Sequence, residues 1–112
     1  MTVSELQSST GWQAIEPGPA GVAVTSGYTS DLLSDVMAHA PEGSVLITIQ
    51  GHRNTVAVAT LCGIRAIVLC HDRPAPEDMR QAARQEDIAI QSTPEDEFSS
   101  TITRVQRLAL AD

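Results

Sequence analysis

The sequence predicts an α/β domain in which a mainly parallel sheet is flanked by helices. Three observations carry that prediction. Short runs of Val, Ile, Leu and Ala recur along the chain, segments with apolar residues at helical spacing separate them, and short polar turns join the two kinds of segment. Strands alternating with helices in this way pair in parallel through right-handed crossovers. With 112 residues the chain is long enough for one core without metal or disulfide, and with one Trp, one Tyr and one Phe that core must be filled by aliphatic side chains.

Thr2-Val3-Ser4-Glu5 has the form of a capping box, so a short first helix is expected, ending by Gly11. Trp12 to Ile15 reads as a strand, Glu16-Pro17-Gly18-Pro19 as a break, and Gly21 to Thr25 as a second strand. Ser30 or Asp31 opens a helix whose Leu32, Leu33, Val36 and Met37 share one face and which stops before Pro41. Val45 to Ile49 is the next strand. The turn from Gln50 to Asn54 follows, then a helix with Val56, Ala59 and Leu61 inward, and the strand Ala66 to Cys70. A third amphipathic helix carries Met79, Ala82 and Ala83, and Ile88 to Ile90 returns as a strand. Thr93-Pro94-Glu95-Asp96 starts a last helix that buries Phe98, Ile102, Val105 and Leu108 or Ala109. No linker, repeat or low-complexity tract divides the chain, so residues 1–112 read as one domain.

Fourteen acidic residues against seven arginines give a net charge of −7, and the arginines are scattered, with no lysine and few aromatics beside them. A nucleic-acid backbone or an anionic membrane finds no basic patch here, so neither is an expected partner. No basic, apolar leader opens the chain and no run of apolar residues is long enough to span a bilayer, so a cytoplasmic location is expected. Cys62 and Cys70 lie in apolar runs and read as buried thiols, without a disulfide.

In an open parallel sheet, ligands bind beyond the carboxyl ends of the strands, where loops enter helix N-termini. Four segments are expected on that edge: Ser26-Gly27-Tyr28-Thr29-Ser30-Asp31, Gln50-Gly51-His52-Arg53-Asn54-Thr55, His71-Asp72-Arg73, and Ser92-Thr93. Gly27 and Gly51 permit close backbone approach, Arg53 and Arg73 offer forked donors, and the amide and hydroxyl side chains orient a small anion or a nucleotide-like molecule. The same residues also suit ordinary turns, with Asp31 and Asn54 as helix caps. Walker, GxGxxG, GxSxG and HExxH signatures are missing. His39, His52 and His71 fall on three separate segments and suggest no metal site, and no cofactor is expected.

The segment Gly27-Tyr28-Thr29-Ser30-Asp31-Leu32-Leu33-Ser34-Asp35-Val36-Met37 resembles the helix opening of small stand-alone DRTGG-domain proteins. Thr48 to Asn54 with Ala57-Val58-Ala59, and Ser92 to Phe98, match further, so the resemblance spans residues 20–110. It implies a single three-layer α/β domain, a tendency to form homodimers, and use elsewhere as an accessory domain beside regulatory CBS pairs or within phosphotransacetylases. Such small proteins are often labelled as related to the HPr serine kinase, but the phosphate loop that kinase chemistry requires is missing. Three departures stand out: His71-Asp72-Arg73 replaces a glycine-rich turn of the family, Gly51-His52-Arg53 replaces Gly-Asp-Arg, and Glu97 stands where Thr commonly precedes Phe.

The leading functional expectation is a non-catalytic regulatory or ligand-binding module, a homodimer that senses a small anionic metabolite or nucleotide and presents a face to a metabolic partner protein. The alternative is a structural adaptor without ligand, its partner surface drawn from Trp12, Tyr28 or Leu110. The third is a small transferase or hydrolase built on His52, Arg53, His71 and Asp72.

Overall fold

Short apolar runs that must be covered on both sides form the centre of the molecule. The computed structural model describes residues 1–96. In chain order these form α1 (Val3–Thr10), β1 (Gln13–Glu16), β2 (Ser26–Thr29), α2 (Leu33–His39), β3 (Ser44–Thr48), α3 (Arg53–Cys62), β4 (Ala66–Leu69), α4 (Glu77–Glu86) and β5 (Ala89–Ser92). The sheet runs β1-β5-β4-β3-β2. Strands β2 to β5 are parallel sequential neighbours, and β1 lies antiparallel beyond β5. The α/β class and the mainly parallel sheet expected from the sequence are therefore present.

Alternate residues of the central strands serve two cores. Leu46, Ile67, Leu69, Ile88 and Ile90 face α2, α3 and α4, where Val36, Val56, Ala59, Met79 and Ala83 close the cluster. Val45, Ile47, Ala66, Val68, Cys70 and Ala89 face the other way, against Val3 and Leu6 of α1 together with Trp12 and Val24. Three right-handed crossovers between sequential strands place all three crossover helices on one face, so the second face must be covered from elsewhere, and α1 does so. The result is three layers.

Local chemistry fixes the helix ends. Thr2 Oγ1 accepts from the Glu5 N–H while the Glu5 carboxylate accepts from the Thr2 N–H, both at 3.2 Å, and Gly11 closes α1 in the left-handed region. Gly63 closes α3 in the same way.

Several expectations require correction. The segment Gly21 to Thr25 is not a strand beyond one bridge from Ala23 to Thr2, and the strand is Ser26–Thr29 instead, so Gly27 and Tyr28 lie inside β2 rather than in an edge loop. Helix α2 begins at Leu33, because Asp31 is engaged by the neighbouring strand end. Leu32 and Met37 are exposed, and only Val36 of that expected face is fully buried. Leu61 points outward as well, and Cys62 is only half-buried. The expected burial of Phe98, Ile102, Val105 and Leu108 or Ala109 falls outside the described residues.

The break between β1 and β2 depends on a glycine. Gly18 sits at φ +59°, and a Cβ there would overlap the backbone of Ala89 on β5, whereas Gly11, at φ +73°, faces open space. Gly11→Ala therefore carries only the left-handed backbone penalty of about 1 kcal/mol, and Gly18→Ala adds overpacking for a total of about 2 to 4 kcal/mol. Urea unfolding of the two variants checks the order, and equal losses would contradict it.

Candidate functional site

The carboxyl edge of β2 and β3 is closed by its own polar groups. The Asp31 carboxylate accepts from Thr48 Oγ1 at 3.1 Å and from the Ile49 N–H at 3.0 Å, while Gln50 Nε2 donates to the Asp31 carbonyl at 2.8 Å. Thr55 Oγ1 donates to the Gln50 carbonyl at 2.7 Å. His52 rather than Asn54 caps α3: its Nδ1 accepts from the Asn54 N–H at 3.0 Å, which leaves only Nε2 for other chemistry. Gly51 does permit close approach, but the group that approaches is the Pro74 carbonyl, where a Cβ would collide. Ser30 Oγ donates to the Leu32 carbonyl and accepts from its N–H, shaping the entry to α2. These residues stand on the expected edge and are tied together structurally.

The ends of β4 and β5 are arranged differently. His71 and Asp72 both adopt left-handed backbone, at φ +57° and +52°. Such conformations cost a non-glycine residue of order 1 kcal/mol or more. They aim two N–H groups across the edge: His71 N donates to the Glu95 carbonyl and Asp72 N to the Thr93 carbonyl, both at 3.0 Å. The two loops are thereby joined. Beside them opens a cavity of ≈ 320 Å³ lined by Asp72, Ser92, Thr93 and Glu95 together with Trp12 and Gln13 from the start of β1. Trp12 is 3% exposed, and its indole Nε1 is buried without a hydrogen-bond partner among the described residues. Leaving such a donor unpaired costs about 1 to 3 kcal/mol.

The cavity sits where the strand order breaks. Across β2 to β5 the chain steps from neighbour to neighbour, and the discontinuity falls between β5 and β1. Crevices at such points are where ligands enter open α/β sheets. Of the residues singled out in the sequence, Asp72, Ser92 and Thr93 come together here. Arg53 and Asn54 line a different groove on the helical face, and Gly27 and Tyr28 belong to the far edge of the sheet. Trp12, Gln13 and Glu95 were missed as site residues, because only the antiparallel pairing of β1 on β5 brings the first two there.

Two polar clusters lie elsewhere. Glu16, 5% exposed, accepts from Arg80 Nε at 3.1 Å and Arg84 Nη1 at 2.6 Å, and Arg84 also reaches Glu77 at 2.7 Å, so the network pins β1 to α4. Tyr28 OH donates to Asp35 Oδ2 at 2.8 Å, and His39 Nδ1 lies 3.0 Å from Asp35 Oδ1. Among the described residues no three His, Cys, Asp or Glu side chains converge as a metal site, and no helix is long and apolar enough to cross a membrane.

No protein-family model matches the sequence, and no curated protein does. The fold is similar to the solved structure of the CBS and DRTGG domains of the regulatory region of Clostridium perfringens pyrophosphatase, which was complexed with its activator, diadenosine tetraphosphate. The TM-score is 0.65 at 12% sequence identity, and the match covers 93% of this chain and 45% of that one. At that identity the likeness is one of fold, and it extends the DRTGG-like resemblance to the architecture.

The Asp35 carboxyl is held below the ordinary carboxylate range, first by the Tyr28 hydroxyl and further by His39, while the same Tyr28 bond raises the phenol. A depressed carboxyl stabilises the fold above its unfolded pKa and loses that contribution as pH falls through the folded value. Tyr28→Phe removes the largest cause, so the Asp35 titration followed by NMR is expected to move up toward the ordinary range. An unmoved titration would assign the depression to other groups.

Proposed function

We propose that this protein is a non-catalytic regulatory module that binds a small polar ligand, of nucleoside or nucleotide type, in the cavity beyond the carboxyl end of β5, beside the start of β1. One observation carries the reading: Asp72, Ser92 and Thr93, from the ends of two adjacent parallel strands, line one cavity with Trp12. A ligand carrying hydroxyl or amino groups fits this set, since Asp72 accepts and the Ser92 and Thr93 hydroxyls do both. Arg73, beside the cavity in sequence, offers a forked donor to a phosphate lying outward. The nucleotide class is supported by the fold of the pyrophosphatase regulatory region, which takes diadenosine tetraphosphate. Since the cavity lining brings together no nucleophile with a general base among the described residues, the reading is one of sensing rather than turnover.

Trp12 is the only tryptophan in the chain, so its fluorescence reports occupancy of the cavity directly. Titration with nucleosides, mononucleotides and diadenosine polyphosphates is expected to give a saturable change for at least one of them. Asp72→Gly keeps the left-handed backbone while removing the carboxylate, and it should weaken that ligand about tenfold. A flat fluorescence response throughout, with no small molecule retained in native mass spectra, would remove the ligand from the function.

A further inference from the structure

A buried amide on β5 floors a cavity that the carboxyl-edge site does not use. Gln91 is 2% exposed, and its Oε1 has no hydrogen-bond partner among the described residues. Side chains alternate along a strand, and with Ala89 in the core under α1 and Ile90 in the core under the other three helices, Gln91 stands on the α1 side. On that side a cavity of ≈ 100 Å³ lies between Val3, Ser4 and Gln7 of α1 and the paired strands β1 and β5. Ala14 is the register partner of Gln91 across that pair, so its small side chain shares the face and leaves the space open. Leaving a buried amide oxygen unpaired is costly, and a bound donor removes that cost.

The charge around the cavity decides what it takes. Among the described residues Glu16 is the one ionisable member of the lining, and its carboxylate is matched by Arg80 and Arg84. The first amides of α1 are spent as well: Val3 N donates to the Val22 carbonyl and Ser4 N to the Ala20 carbonyl, both at 3.0 Å, and Glu5 N donates to Thr2 Oγ1 at 3.2 Å. The helix start therefore holds nothing out to an anion. What remains is neutral: the amides of Gln91 and Gln7 and the hydroxyl of Ser4. Gln7 Nε2 already donates to the Trp12 carbonyl at 3.0 Å, which leaves its oxygen as an acceptor.

We propose that this cavity binds the head of a small neutral carboxamide, whose N–H donates to Gln91 Oε1 while its carbonyl accepts from Gln91 Nε2. A glutamine amide carries one acceptor and two donor hydrogens side by side, so a second amide matches both atoms at once, whereas a carboxylate brings no donor and an ammonium no acceptor. The size agrees. At ~30 Å³ for each water-sized group the cavity takes about three of them, room for a carboxamide head, and the exposed Ala14, Pro17 and Ala20 at its rim leave any larger body of the molecule in solvent.

Acetamide is the probe, with acetate and acetamidinium as its anionic and cationic counterparts of the same shape. In proton–nitrogen NMR spectra of the full chain, acetamide is expected to give saturable, millimolar shifts of the Gln91 side-chain NH2 and of the Ser4, Gln7 and Ala14 amides, with binding of either ion weaker by at least about tenfold. Gln91→Met keeps the length of the side chain and removes its amide, and the response should vanish. Ala14→Val narrows the same space from an exposed edge position, where the fold tolerates it, and should abolish the response independently. No saturable shift with acetamide, an equal response to acetate or acetamidinium, or a response that survives either substitution in a folded variant would overturn the proposal.

Discussion

The fold depends on two strands that have no wet side. Every residue of β3 and of β4 is buried, so each strand must be roofed above and below by other elements. Burial of a large aliphatic side chain is worth about 1.5 to 3 kcal/mol, which makes these nine positions the largest concentrated source of stability. The polar members sit at the ends of β3 and are satisfied there, Ser44 Oγ donating to the Pro41 carbonyl and Thr48 Oγ1 to Asp31. From this constraint the rest of the architecture follows. Right-handed crossovers that all step in the same direction along the sheet roof only one face, and α1 with the chain around Trp12 and Val24 comes round to the other. The route from α1 to β2 therefore passes β1 along the far side of β5, and the break in strand order that frames the cavity is a consequence of covering the second face.

The same constraint explains what was legible in the sequence. Strands buried on both sides are continuous apolar runs, and β3 and β4 were readable to within a residue at either end for that reason. The capping box of α1 is a local signal and was equally clear. Edge strands are different. Strand β2, Ser26–Thr29, contains no apolar run and is held by its register against Ser44 to Ile47, whereas the more apolar Gly21 to Thr25 looks like a strand and is not one. Leu61 and Met37 were misplaced because helical spacing identifies an apolar stripe without saying how wide the covering surface is. Glu16 was invisible as a core residue, since its burial depends on two arginines 64 and 68 positions away in sequence.

The candidate site was half legible. Residues that follow parallel strands must gather at the carboxyl edge, so Asp72, Ser92 and Thr93 could be placed together without knowing anything else of the fold. Trp12 could not, because a four-residue antiparallel strand at the sheet margin leaves no signature of its partner. Nor does position on the edge decide which loops are open. The loops after β2 and β3 bind each other through Asp31 and Gln50, a distinction set by individual hydrogen bonds rather than by composition.

The turn after β4 departs from the resemblance in sequence while adopting backbone that glycine favours. A glycine-rich turn would adopt left-handed backbone freely, and His71 and Asp72 adopt it too, at an energetic cost that Asp and His bear more readily than most residues. The cost is offset by the two hydrogen bonds that tie this turn to the loop after β5. What changes is chemistry: a turn of bare backbone becomes one that carries an imidazole and a carboxylate, with Asp72 on the cavity wall. A glycine turn offers only shape and backbone N–H groups, whereas this one adds an acceptor, so the cavity wall it forms suits a group that donates to a carboxylate.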